Sequence, residues 1–222
     1  KGMNALCDLK ASESFLRGNY RLACQATVID ESEEIEFSVL RRQPRILTQS
    51  LKRTVELDPL TKRSGGTVVF GDKQIDTYRG RILGLSIDVG TTTVVLNLVD
   101  LEDGQVLHTA SFENPQKFGG SDVMHRISYD GGEFHGELQQ VMLSSINFEI
   151  GEMSRQLQIH RRWIYEVVVV GNATMRDLVF GYDVQSIGER PYKSLTELEM
   201  LDGGRTSTAI NIKAKELGLR IF

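Results

Sequence analysis

Hydrophobic positions change their spacing along this chain, and the changes divide it into elements. Residues 82–88, 94–101 and 106–112 carry short apolar runs bounded by turn residues, which predicts three strands. Asp103-Gly104, between the second and third, is a two-residue hairpin signal. A Gly-rich, polar stretch fills 114–132. Leu138, Met142, Ile146, Ile150, Met153 and Leu157 then recur every three or four positions, predicting a helix over 135–157 with one buried face. Glu166-Val167-Val168-Val169-Val170 contains a continuous β-branched run and predicts a strand buried on both faces. Gly171-Asn172 ends it, and a further helix is expected over 173–180. The order β-β-β-α-β-α predicts an α/β lobe.

Ahead of residue 81 the pattern is weaker. Residues 21–29 and 35–40 read as two short strands around an acidic turn at 30–34, too little for a stable domain alone. Residues 41–80 read as a small linker subdomain. It has a break at Arg41-Arg42-Gln43-Pro44, a short amphipathic helix over 46–57, a turn at Ser64-Gly65-Gly66 and a strand over 67–70. The expected divisions are therefore 1–40, 41–80 and 81–222.

Composition narrows the class without naming it. The 222 residues carry a formal charge of −4 with both signs interspersed, which argues against a nucleic-acid partner. No apolar run approaches the ~18–20 residues of a membrane span, so no membrane is expected. Two cysteines, Cys7 and Cys24, are too few for a disulfide framework and favour a reducing, cytoplasmic setting. Cys7 reads as a structural or free thiol.

Candidate chemistry concentrates at Gly84-Leu85-Ser86-Ile87-Asp88-Val89-Gly90-Thr91-Thr92-Thr93-Val94-Val95. An apolar strand ends in an acid, and Gly90 with three threonines turns into a second apolar strand. Such a turn can handle phosphate: the Asp88 carboxylate holds Mg²⁺ through water, Gly90 lets the backbone approach an anion, and Thr91, Thr92 and Thr93 offer hydroxyls and amides. There is no Gly-Lys-Thr/Ser and a strand follows, so this is not a P-loop. An ordinary hairpin with a Thr-rich turn is the alternative.

The segment Asp88-Val89-Gly90-Thr91-Thr92-Thr93-Val94 resembles the first phosphate motif of the acetate kinase, sugar kinase, Hsp70 and actin superfamily. Two further segments resemble one branch of it, and a third resembles part of a different domain. They are Asn114-Pro115-Gln116 with Gly119-Gly120-Ser121-Asp122-Val123-Met124-His125-Arg126-Ile127, then Val168-Val169-Val170-Gly171-Asn172-Ala173-Thr174-Met175, and Arg21-Leu22-Ala23-Cys24-Gln25. The last resembles the end of a plant-type [2Fe–2S] ferredoxin domain. Together they are similar to the reductive activators of corrinoid enzymes.

That resemblance implies a ribonuclease-H-like β-β-β-α-β-α lobe of an actin-like ATPase at 81–222. Before it would come the linker subdomain and, at 1–40, the C-terminal part of a β-grasp ferredoxin domain. It implies a central fragment, with three cluster ligands expected upstream of Cys24 and a second lobe downstream. The cofactors implied are ATP, Mg²⁺ and, in the full-length protein only, a [2Fe–2S] cluster with Cys24 as one ligand. The partner implied is the corrinoid protein of a methyltransferase system, returned from Co(II) to Co(I). An electron-donor protein and a homodimer are left open. The fragment alone is expected to be inactive.

Several residues keep two readings. Asp122 is either the N-cap of a following helix or a second catalytic acid that orients water near the γ-phosphate. Asn114 and Gln116 either position the nucleotide or form an Asn-Pro turn. Asn172 either faces a ligand at the carboxyl end of its strand or caps the next helix. Two rival functions stand beside corrinoid activation. One is a small-molecule kinase of the same superfamily, and the other a non-catalytic electron-transfer or docking module.

Overall fold

The computed structural model describes residues 2–10, 21, 26–36 and 57–222. The chain divides into two compact units, Lys1–Arg45 and Ile46–Phe222. Cys24, the strand expected over 35–40 in its larger part, residues 22–25 of that over 21–29 and nearly all of the helix expected over 46–57 fall outside the described residues. Among the described residues of the first unit an antiparallel bridge joins Leu6 to Val28, and the acidic turn forms as Asp30 accepts from the Ser32 amide at 2.9 Å.

The second unit begins with a three-stranded antiparallel sheet of β1 (Thr61–Ser64), β2 (Thr67–Phe70) and β3 (Lys73–Thr77). Only β2 is legible from its apolar run. Gly65 takes φ +58° in the β1–β2 turn, a left-handed conformation open to glycine at no steric cost.

A four-stranded sheet follows, in the order β6-β5-β4-β7. Its strands are β4 (Leu83–Val89), β5 (Thr93–Asp100), β6 (Val106–Glu113) and β7 (Ile164–Gly171). The first three pair antiparallel, and β7 lies parallel to β4 after a crossover through α1 (Val123–Asp130) and α2 (Glu137–Gln156). Helices α3 (Ala173–Phe180), α4 (Gln185–Gly188), α5 (Leu195–Leu201) and α6 (Ala214–Leu217) complete a mixed α/β fold. Among the described residues, no helix is long and apolar enough to cross a membrane.

One face of the sheet makes the core. Strand alternation points Leu83, Leu85, Ile87 and Val89 of β4 and Val94, Leu96 and Leu98 of β5 the same way, and all are buried. The α2 stripe Leu138, Met142, Ile146, Ile150 and Met153 packs into the same cluster, as its spacing predicts. The other face carries Ser86 and Asp88 of β4, Val95 and Asn97 of β5 and Thr109 of β6, a polar row on which Thr109 donates to Asn97 at 2.8 Å.

Two expectations are corrected here. The valine-rich strand is not buried on both faces. As β7 it is the outer strand of the sheet, and Val168 and Val170, in register with Ser86 and Asp88, are 58% and 54% exposed. The β5–β6 connection is also longer than Asp103-Gly104. It spans 101–105 and closes with the Asp100 amide donating to the Gln105 carbonyl, while Gly104 takes φ +75°.

The two sheets of this unit are joined through β7. The Glu166 carboxylate accepts the Thr61 amide, and the Tyr165 hydroxyl donates to Asp76 Oδ2 at 3.0 Å. Burial, then that bond to the carboxylate, push the Tyr165 phenol up to about 12. A phenol raised in the folded state favours folding fully below its unfolded value, and that contribution is lost as pH rises through the folded one. An absorbance titration should therefore find one tyrosine ionising near pH 12, with stability falling from about pH 10 upward. Asp76→Asn should lower that tyrosine's pKa.

The core makes a second prediction. Ile146→Ala removes a fully buried side chain and should cost about 2–5 kcal/mol in denaturant unfolding. Phe148→Ala, on the exposed side of the same helix, should stay within about 0.5 kcal/mol.

Candidate functional site

The turn between β4 and β5 shows why its sequence matters. The Gly90 amide donates to the Thr93 carbonyl at 3.0 Å and closes the turn. A Cβ on Gly90 would lie 2.7 Å from that same carbonyl oxygen, so no side chain fits. Three successive carbonyls are then held from within the protein. Asn114 Nδ2 donates to the Gly90 oxygen at 2.8 Å, Arg126 Nη2 to the Thr91 oxygen at 2.7 Å, and the Asn114 amide to the Thr92 oxygen at 2.8 Å.

With the oxygens fixed on one side, the amides are left on the other. Among the described residues, no protein group accepts a hydrogen bond from the Thr91 or Thr92 amide. Thr92 is exposed and Thr91 half-buried, its hydroxyl accepting from Asn172 Nδ2 at 3.3 Å. Successive free amides in a turn form a concavity that takes an anion. Asp88 lies two residues before Gly90 on the open face of the sheet, exposed, with Val95 and Val170 as its lateral neighbours. A carboxylate so placed can hold a hydrated divalent cation.

The structure brings Asp88, Gly90, Thr91, Thr92, Thr93, Asn114 and Asn172 together around this turn. Of the two readings weighed for Asn172, the structure shows the cap: Oδ1 accepts the Met175 amide of α3 at 2.9 Å, while Nδ2 donates to the Thr91 hydroxyl at 3.3 Å. Asn114 and Gln116 stand behind the turn. Both are buried, Asn114 Oδ1 accepts the Gln116 amide at 2.8 Å, and Gln116 Nε2 donates to the Leu138 carbonyl of α2 at 3.1 Å. Their polar atoms are satisfied inside the protein, so they act on the turn. Asp122 caps α1, with Oδ1 accepting the His125 amide at 3.0 Å and Oδ2 lying 2.7 Å from His125 Nδ1. The His125 amide, then its ring, hold the Asp122 carboxyl below the usual carboxylate range.

Arg126 is the residue that sequence reasoning missed. It is 1% exposed, and its guanidinium donates to the Gly120 carbonyl at 3.0 Å and the Thr91 carbonyl at 2.7 Å, with Met175 Sδ 3.2 Å from Nη1. Burial pulls the group below its ordinary value, and the Asp122 charge opposes that pull. The available signal was spacing, because Val123, Arg126, Ile127 and Asp130 fall on one face of α1 and the last three are buried.

Fold and turn together define an α/β protein whose central strands end in a braced turn with the Thr91 and Thr92 amides free of protein acceptors. The chain belongs to the RACo middle region family, whose model matches residues 83–221. It is 31% identical over 132 residues to the corrinoid activation enzyme RamQ of Eubacterium limosum, covering 56% of this chain. A solved structure titled reductive activator for corrinoid, iron-sulfur protein matches with a TM-score of 0.56 and 33% identity over 67% of this chain. The chain spans 22% of the length of each of these two relatives.

Replacing Asn114 by Ala strips donors or acceptors from the Gly90 carbonyl and the Gln116 amide at once. Unfolding of Asn114→Ala should show a loss of about 1–3 kcal/mol, well beyond that of a surface Asn.

Proposed function

We propose that the full-length protein containing this chain is an ATP-dependent reductive activator of a corrinoid protein. The observation that carries this reading is the turn at 90–93, with its oxygens held and the Thr91 and Thr92 amides free, inside a chain of this family. The sheet order, three antiparallel strands and a parallel fourth, supports a ribonuclease-H-like lobe of an actin-like ATPase at 81–222. The segments 1–40 and 41–80 then correspond to part of a β-grasp ferredoxin domain and a linker.

The residues present fit MgATP. The Thr91 and Thr92 amides bind phosphate oxygens, the threonine hydroxyls add donors, and Asp88 holds Mg²⁺ through water. Asn172 orients Thr91, while Asn114 and Gln116 keep the turn in shape. Asp122 acts through α1, as its cap. ATP shifts the protein between two arrangements only if its affinity for them differs.

The residues present do not make an iron–sulfur site. A [2Fe–2S] cluster takes four ligands, and Cys24, outside the described residues, supplies one. When bound in the full-length protein, a reduced cluster supplies the single electron that takes Co(II) to Co(I). That half of the reading is supported by the names of the relatives.

Asp88→Ala in the full-length protein tests the proposal. ATP turnover should be lost and cobalt reduction, followed by the corrinoid spectrum, should fall with it. Undiminished turnover would remove Asp88 from the Mg²⁺ role. Phosphorylation of a metabolite by an iron-free protein would favour the kinase, and cobalt reduction indifferent to ATP would favour a docking or electron-transfer module.

A further inference from the structure

Arg126 is a buried cation with no anion of its own. Its three contacts are two backbone carbonyls and a thioether, and it forms no ion pair among the described residues. The one carboxylate that acts on it, Asp122, is engaged by His125 on the exposed side of α1. Burying a guanidinium without a carboxylate is costly, and a turn could be braced as well by a neutral donor, as Asn114 shows at the adjacent carbonyl.

The position of the charge gives it a use. The Thr91 carbonyl and the Thr92 amide belong to one planar peptide group and point in opposite directions. A cation bonded to the oxygen at 2.7 Å draws electron density from the nitrogen and makes the Thr92 N–H a stronger donor. That N–H is among the two left free on the ligand side. The charge also lies one peptide unit behind the anion position, in a low-dielectric setting where little screens it.

We propose that Arg126 is a positioning residue for phosphate: a buried charge that strengthens the Thr92 amide and favours an anion in the turn without touching it. This rests on the nucleotide reading above. The Asn114 brace holds shape, and the Arg126 brace adds charge. The anion it favours is the polyphosphate of the nucleotide, and the nucleoside gains nothing from it.

The test uses the full-length protein, with MgATP affinity by calorimetry and melting temperature measured for Arg126→Lys and Arg126→Gln. Lys keeps the charge and Gln keeps a neutral donor. Arg126→Gln should lose about tenfold or more in MgATP affinity, while Arg126→Lys stays within about threefold. Equal losses in both variants would make Arg126 a structural clamp, and unchanged affinity in Arg126→Gln would make it irrelevant to the anion. Either result overturns the proposal and leaves the nucleotide reading standing. No MgATP binding by the unsubstituted protein overturns both. If Arg126→Gln does not fold, Arg126→Lys decides alone. Affinity within threefold supports the proposal, and a tenfold loss at an unchanged melting temperature defeats it.

Discussion

Three carbonyl oxygens in a row, those of Gly90, Thr91 and Thr92, need donors, and most of this unit is arranged to provide them. A buried carbonyl without a partner costs as much as a lost hydrogen bond, so each oxygen selects what packs behind it. The Asn114 side chain and amide come from the end of β6, and the Arg126 guanidinium from α1. Asn114 is fixed in turn by Gln116, which is fixed by the Leu138 carbonyl at the start of α2. Strand β6, α1 and α2, which sheet pairing and the core already bring near, are thereby also tied to one turn, and its geometry depends on all three.

The sheet divides labour between its faces. The inward side chains of β4 and β5 meet α2 and bury an apolar core. The outward ones mix Ser86, Asp88 and Asn97 with valines, and they leave Asp88 exposed beside the turn. Period-two alternation thus produces core and candidate site from the same two strands, one residue apart.

Legibility in the sequence followed how much of an element's environment is local. Strands β4 and β5 and the stripe of α2 were visible because one covered face imposes a period, and β6 because its apolar run lies between turn residues. Strands β1 and β3 escaped because Thr61-Lys62-Arg63-Ser64 and Lys73-Gln74-Ile75-Asp76-Thr77 carry too few apolar residues to alternate. Helix α5 escaped although Ser194 and Glu197 form a capping box, a signal that lies in the sequence. Helix α1 was legible only through its cap, Asp122, because Arg126 and Asp130 interrupt its apolar stripe. At the site, Asn114 and Asn172 were each open between turn-former and ligand. A carboxamide carries a donor and an acceptor, and both residues use the two ends for different tasks.

Strand β7 has a consequence for handling the chain. Its run of four valines presents one bare row of backbone groups, because no other strand among the described residues pairs on that side. The single charge within it, Glu166, is occupied by the Thr61 amide. One bond from the Phe222 amide to the Ile164 carbonyl shields the beginning of the strand. An irregularity at Tyr165 lies near that same end, and the valine run beyond it lacks the lysines and prolines with which edge strands discourage further strands from adding to them. In concentrated solution this edge, more than any loop, is where one copy of the chain would begin to stack on the next.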